Sequence, residues 1–413
     1  MLKSYPGTSL LWLDAGDFSG DNTQAGLRNT QTLLEGMGRL GYSAANLGER
    51  DLLLGIDRLQ EWAKQAKVPL LSSNLVYQDS GLPAFPASML KTVTLGGPAG
   101  KRKLKVGILG LARMNPGLSI PTPDDRRIVT ADPLETAKAL VAPLRKKCDL
   151  LIVLATLEPA QARDLAKQVA GIDLILGGFG AVELSEEIAA VPGSPGGRPS
   201  RITYVGNQGK KVGEIRVLAA EPGALARLEN NTVILGSQIP DDPTIMDLVE
   251  KNRIAINEIH KNEAPLVDGE KLRAVWEGES FVMAPACKSC HEDAFQAWEG
   301  TVHARAFHIL EEKHQDYNPE CVGCHTTGFR RPTGFVNAKS TADLENVQCE
   351  SCHGPGSRHP HVIGAGYGKV AQDFCVTCHT PANSPDFNDA AYRLKIRHWQ
   401  EKPATDGASV SSR

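Results

Sequence analysis

Between residues 287 and 379 the chain repeats one pattern four times: two cysteines with two residues between them, then histidine. The copies are Cys287/Cys290-His291, Cys321/Cys324-His325, Cys349/Cys352-His353 and Cys375/Cys378-His379. Two thiols one turn apart can add across two vinyl groups on one edge of a porphyrin, and the following residue then lies against the iron. CxxCH is for this reason the attachment pattern of c-type haem. A zinc knuckle needs no histidine fixed after every second cysteine, and a disulfide framework does not keep one spacing four times. The pattern predicts four covalently bound haem c groups, tethered by those eight cysteines, with His291, His325, His353 and His379 as proximal iron ligands. The ninth cysteine, Cys148, opens an apolar run and reads as an inert core residue.

Composition sharpens the contrast between the two ends. The chain has 413 residues, enough for two or three domains, with 41% apolar but only 5% aromatic residues. From residue 276 onward strand-like runs vanish and histidine becomes dense, so this segment needs something other than side chains to fill its core. Porphyrin faces would do that. Thirteen Lys/Arg against seventeen Asp/Glu in the same segment, with haem propionates added, predict an acidic surface. The formal net charge of −3 gives no reason to expect nucleic acid or an anionic membrane as partner. No run reaches the roughly 18 apolar residues of a membrane helix.

Residues 1–235 alternate apolar runs with helical spacing. TSLLWLDAG, AANLGE, VPLLSSNL, LKVGILGLA, DLLIVLATLE and IDLILGG read as buried strands; TQTLLEGMGRL, GIDRLQEWAKQA, PLETAKALVAPLRKK and EPAQARDLAKQVA read as helices. This alternation predicts an α/β sandwich. AAVPGSPGGRPSR (189–201) reads as a surface loop from its Pro, Gly and Ser content. Residues 236–275 read as a helical linker, with one helix over 239–262 started by Asp241-Asp242-Pro243. Residues 276–413 form the haem-packed, mainly α domain. Each iron needs a sixth ligand or an open face, and seven histidines remain: His260, His303, His308, His314, His359, His361 and His398. His260 reads as a surface histidine of the linker. If residues 296–314 were one helix, His303 and His314 would share a face, eleven residues being almost three turns at ~3.6 residues per turn. Trp298 and Phe307 would suit packing on a porphyrin. His308 and His314 stay open as ligands or as solvated helix residues.

The run CKSCHEDAFQAWEGTVHARAF, then CVGCHTTGF, CESCHGPGSRH and CVTCH, resembles the tetrahaem cytochromes that accept electrons from hydroxylamine oxidoreductase, over about residues 284–400. The resemblance implies three haems with two histidines each and a second haem that is five-coordinate. By position His303, His359 and His398 match the distal ligands, and His325 holds the open haem. His361 is then a spare, and the pairing of distal ligands with haems is left open.

A second resemblance covers residues 8 to about 240. LLWLDAGDF, AANLGERD, VPLLSSNL, LIVLATLE, IDLILGGFGAV and ITYVGNQGKKVGEIRV look like nucleotidases of the calcineurin-like metallophosphoesterase family. Such enzymes use two metal ions to activate water and clamp phosphate oxygens. Asp17 keeps a Gly-Asp position, but Gly48-Glu49-Arg50-Asp51 replaces Gly-Asn-His-Glu. Thr156 stands where a lone histidine belongs, and Phe179 and Ala181 replace both histidines of Gly-His-x-His. No histidine precedes His260. The expectation is a catalytically dead phosphoesterase fold, with Asp17, Glu49 and Asp51 as solvated strand-end carboxylates or ligands of one hard cation. The family's Asp-x-His strand is not found and no export signal is visible, so the chain is expected to start inside its first domain.

These readings predict an electron carrier exchanging electrons with a redox protein donor and acceptor, periplasmic or otherwise extracytoplasmic because haem attachment occurs outside the bacterial inner membrane. The alternatives are a haem enzyme acting on a small nitrogen oxide or hydroxylamine at an open iron, a docking module, and, less favoured, a metal-dependent phosphohydrolase. Homo-oligomerisation is left open.

Overall fold

The computed structural model describes residues 10–97, 100–178, 189–192, 199–204, 209, 211–218, 227–236, 238–362, 367–381 and 383–398. The chain divides into two compact units, Met1–Asn252 and Arg253–Arg413.

The first unit contains β1 (Trp12–Asp14), α1 (Gln24–Leu40), β2 (Tyr42–Asn46), α2 (Glu49–Leu52), α3 (Ile56–Ala66), β3 (Leu70–Leu71) and β4 (Leu75–Tyr77). It continues with β5 (Ser88–Gly97), β6 (Gly100–Ala112), β7 (Ile120–Pro121), β8 (Arg127–Thr130), α4 (Pro133–Arg145) and β9 (Leu150–Thr156). Then come α5 (Pro159–Gln168), β10 (Leu174–Gly177), β11 (Ala189–Val191), β12 (Ser200–Tyr204), β13 (Lys211–Leu218) and β14 (Arg227–Ile234). The larger sheet has order β11-β12-β10-β9-β6-β5, parallel from β12 to β6 with antiparallel edges. A parallel sheet β1-β2-β3 lies against it.

The layers follow from side-chain pattern. All seven residues of β9, LLIVLAT, are buried, as a central parallel strand covered on both faces requires. Leu151 and Val153 join α4 and α5 residues such as Val141 and Leu165 on one face. Ile152 and Leu154 point the other way, toward Ala44 and Leu71 of the smaller sheet. The far side of that sheet carries Leu34 and Met37 of α1 and Leu59 and Ala63 of α3. The order is helix, sheet, sheet, helix. Helix starts are fixed by sequence: Thr23 accepts from Gly26 N–H, and Asp132 accepts from Leu134 and Glu135 N–H ahead of Pro133.

Residues 189–201 are corrected: Ala189–Val191 and Ser200–Ile202 pair antiparallel, so both flanks of that stretch are strand. Cross-strand pairing outweighs the local Pro and Gly signal there; residues 193–198 lie outside the described residues. Cys148 is buried in the core, and burial pushes its thiol up.

α6 (Pro243–Glu263) starts on Asp242, whose carboxylate accepts from Thr244 N–H at 2.9 Å. α7 (Gly269–Val275) follows in the second unit, then α8 (Ala284–Lys288), α9 (Glu292–Glu299), α10 (His308–Glu312), α11 (Pro319–His325), α12 (Cys349–His353) and α13 (Asp389–Lys395). Among the described residues this unit has helices and turns with one isolated bridge, Thr326 to Glu345. It also has a side-chain core of its own: Phe281, Phe307, Leu310, Val322, Phe335 and Leu344. Phe307 is 1% exposed inside that cluster rather than on the surface a porphyrin would meet. Residues 296–314 do not form one helix. α9 ends at Gly300, a 3-10 turn spans Val302–Arg305, and α10 begins at His308. His303 and His314 therefore share no helical face. Among the described residues no helix is long and apolar enough to cross a membrane.

Candidate haem centre

Each CxxCH motif closes a helical turn. His291 N–H donates to the Cys287 carbonyl and His379 N–H to the Cys375 carbonyl, both at 2.9 Å. The other two motifs lie within α11 and α12. In a turn of this kind residues i, i+3 and i+4 lie on one side, so both thiols and the imidazole of each motif point the same way.

Three motif histidines each face a second histidine. His291 and His359 have ring centroids 6.1 Å apart with planes at 18°. His303 and His379 are 6.2 Å apart at 47°, and His353 and His398 are 5.9 Å apart at 79°. Two imidazoles on opposite sides of one metal ion, with metal–nitrogen distances of about 2 Å, have centroids roughly 6 Å apart. Rings in direct contact stack much closer, as Tyr367 does on His359 at 4.3 Å and Phe387 on His379 at 4.6 Å. His359 Nδ1 is buried and has no hydrogen-bond partner. Val302, next to His303, and Val376, within the fourth motif, are exposed apolar side chains that a porphyrin face would cover. These residues fit haem c.

Backbone and hydroxyl groups fix several of the rings. His353 Nδ1 is 2.6 Å from the Gly368 carbonyl, His325 Nδ1 2.5 Å from that of Ala306, and His379 Nδ1 3.2 Å from Ser384 Oγ. An Nδ1–H held this way leaves Nε2 as the ligand atom. Burial, with His379 and His325 nearby, pushes His303 below the ordinary histidine value and favours the neutral form that binds metal.

No second histidine ring faces His325 at comparable distance among the described residues. Of the spare histidines, His308 is exposed and pairs with Glu311 at 3.2 Å and Glu312 at 3.3 Å. His314 is exposed at a positive φ of 51°, and His361 is exposed. Trp298 is turned into the fold, its Nε1–H donating to the Val347 carbonyl at 2.9 Å.

The motifs themselves are brought together. Cys287 lies beside Cys349 and Cys324 beside Cys378, and Cys352 lies near Cys375 and Cys378. Cys290 departs from this pattern. Cys290 is exposed, whereas the other seven motif cysteines are half-buried. Its sulfur takes a hydrogen bond from Ser289 Oγ at 3.8 Å, within its own motif. The physical reason is local. Helix α8 ends at Lys288, and Ser289 and Cys290 follow on a turn whose outer side faces solvent, with His291 exposed beside them.

Glu350, between the cysteines of its motif, clamps the approach to the first motif. Its carboxylate accepts from Val282 N–H (2.9 and 3.0 Å), Met283 N–H (2.8 Å) and Gly356 N–H (2.7 Å), while Gln348 accepts from Ala284 N–H at 2.7 Å. Sequence reading missed Glu350, Gln348 and Tyr367. For Tyr367 a signal existed, an aromatic set between glycines.

In the first unit the carboxylates at the strand ends are engaged by the protein. Asp51 is fully buried, not solvated, and accepts from Gly48, Asp17 and Ser19 N–H at 2.8, 2.8 and 2.9 Å. Asp17, at a positive φ of 61°, accepts from Arg50 N–H at 2.9 Å. Glu49 holds the Arg113 guanidinium at 2.9 Å and Asn115 Nδ2 at 2.7 Å. The Thr156 methyl closes over Gly16, where any Cβ would come within 2.8 Å of it. Burial pushes Asp14 up to about 7 and Asp51 to about 6. Phe179 and Ala181 lie outside the described residues.

Fold and site together define a phosphoesterase-like α/β unit followed by a c-type cytochrome region. Residues 286–354 match the family described as cytochrome c554 and c-prime. Cytochrome c-554 of Nitrosomonas europaea is 36% identical over 106 residues, 22% of this chain and 44% of that protein. Human 5'-nucleotidase is 27% identical over 279 residues, 62% of this chain and 46% of that protein. A sulfate thiohydrolase structure from Thermus thermophilus, 20% identical, covers 60% of this chain and 43% of that one with a TM-score of 0.50, a likeness of fold alone. The chain spans less than half the length of these curated relatives. The C-terminal match to the cytochrome c554 family implies covalently bound haem c.

Proposed function

We propose that the C-terminal unit is a tetrahaem electron carrier in which His291/His359, His303/His379 and His353/His398 are axial pairs and His325 is the single protein ligand of the fourth haem. The observation that carries this reading is the spacing of the three pairs, 5.9–6.2 Å between ring centroids. Bound there, haem c would supply one-electron carriers. Proximity of Cys287 to Cys349, Cys352 to Cys375 and Cys378, and Cys324 to Cys378 supports neighbouring sites in the order first, third, fourth, second. That arrangement suits transfer between a redox donor and acceptor in the periplasm or another extracytoplasmic space. The first unit acts as a scaffold or docking module without hydrolase chemistry. Its missing histidines and protein-bound Asp17, Glu49 and Asp51 support this.

Intact mass of the purified protein, with the haem count by pyridine haemochrome, tests the loading. Four covalent haems are expected; fewer would overturn the reading. The alternative of an open-haem enzyme acting on a small nitrogen oxide or hydroxylamine is favoured by one observation, the lack of a facing histidine at His325. Turnover of such a substrate at enzyme-like rates would replace the carrier reading.

A further inference from the structure

Two consecutive residues outside all four motifs touch histidines of two different pairs. The Tyr367 ring lies on His359, planes 14° apart, and its hydroxyl donates to the Gly354 carbonyl at 2.9 Å, next to His353. The following carbonyl, Gly368, takes the Nδ1–H of His353 at 2.6 Å. His359 faces His291 and His353 faces His398. We propose that Tyr367-Gly368 is one positioning element that fixes the imidazole planes at two haem centres at once; this rests on the axial pairs proposed above.

An axial imidazole can rotate about its metal–nitrogen bond unless outer contacts stop it, and those contacts set ring orientation. A flat ring against one face of His359 holds it within 18° of the His291 plane. A carbonyl on His353 Nδ1 fixes the other ring, whose partner stands at 79°. Gly368 has φ +79°, and a Cβ there would meet His353 Nδ1 at 2.9 Å, so glycine serves both the backbone and the approach to the ring. Near-parallel imidazole planes split the iron π-type d orbitals strongly, whereas near-perpendicular planes leave them almost degenerate. The two low-spin centres should therefore give distinct EPR signals, the perpendicular one the more anisotropic, with different potentials.

The test is EPR and potentiometry on the haem-loaded full chain carrying Tyr367→Leu, Tyr367→Phe, Gly368→Ala or His359→Ala. Tyr367→Leu should move the less anisotropic signal and the potential of one haem, and Tyr367→Phe, which keeps the stacked ring, should restore both. Gly368→Ala should move the most anisotropic signal; if it does not load haem, Gly368→Asn, which tolerates positive φ, takes its place. The His303/His379 signal should stay unchanged throughout. Wild-type signals in both Tyr367→Leu and the Gly368 variant, at full haem content, overturn the positioning role. His359→Ala separates the two claims: it should convert one low-spin haem to high spin, and if it leaves every low-spin signal intact the axial pairing itself falls.

Discussion

Glu350 is a carboxylate at 1% exposure whose oxygens face backbone N–H groups of Val282, Met283 and Gly356. Burial pushes its pKa up, and those donors oppose the shift. Removing it leaves buried N–H groups without an acceptor, so Glu350→Ala should cost about 3 kcal/mol of stability and lower the thermal transition of the haem signal by several degrees. An unchanged transition would mean the clamp is dispensable. Asp14 offers a test with a defined sign. Its carboxyl is pushed up to about 7 from 3.8, so the folded state holds its proton more tightly than the unfolded one. Ionisation then opposes folding: the cost is full above pH ~7 and disappears as pH falls toward ~4. Asp14→Asn, which keeps an acceptor for Gly16 N–H, should raise Tm at about pH 8 and change it little at about pH 4. A loss of stability at the higher pH would refute this account. Neither residue announces itself in the sequence, because burial and donor geometry come from chain segments far apart.

At the scale of elements, strands and helices with continuous apolar runs or clean helical spacing were legible: β6, β9 and β10, and α1, α3, α4 and α5 all fall where the pattern puts them. β13 and β14 escaped because KVGEIRVL and RLENNTVI mix charges into short alternations and pair only with each other. The break at Gly300-Thr301 escaped because Ala, Trp, Glu and His around it all tolerate helix. The motif turns were legible residue by residue, but the partners of their histidines were not, since facing rings come from stretches up to 76 residues apart, as with His303 and His379. The unexpected side-chain core can be tested directly. Phe307→Ala removes a fully buried ring and should cost about 3–5 kcal/mol, with reduced yield of haem-loaded protein. Wild-type thermal stability would show that haem contacts, not this cluster, hold the unit together.

At the scale of the whole chain, a fold shared with hydrolases is joined to a region shared with a cytochrome, and the residues decide which chemistry survives. With Mn²⁺ added, the purified protein should hydrolyse nucleotides and bis-aryl phosphates no faster than a buffer control, since Asp51, Asp17 and Glu49 already have protein donors. Enzyme-like rates would contradict the inactive-scaffold reading. The most direct measurement of the central claim is the spin-state count by EPR of the fully oxidised, haem-loaded protein. Three low-spin haems and one high-spin haem, with only the high-spin signal altered on His325→Ala, are the predicted result. Four low-spin haems, or more than one high-spin haem, would contradict the three histidine pairs and the lone His325 on which the account rests.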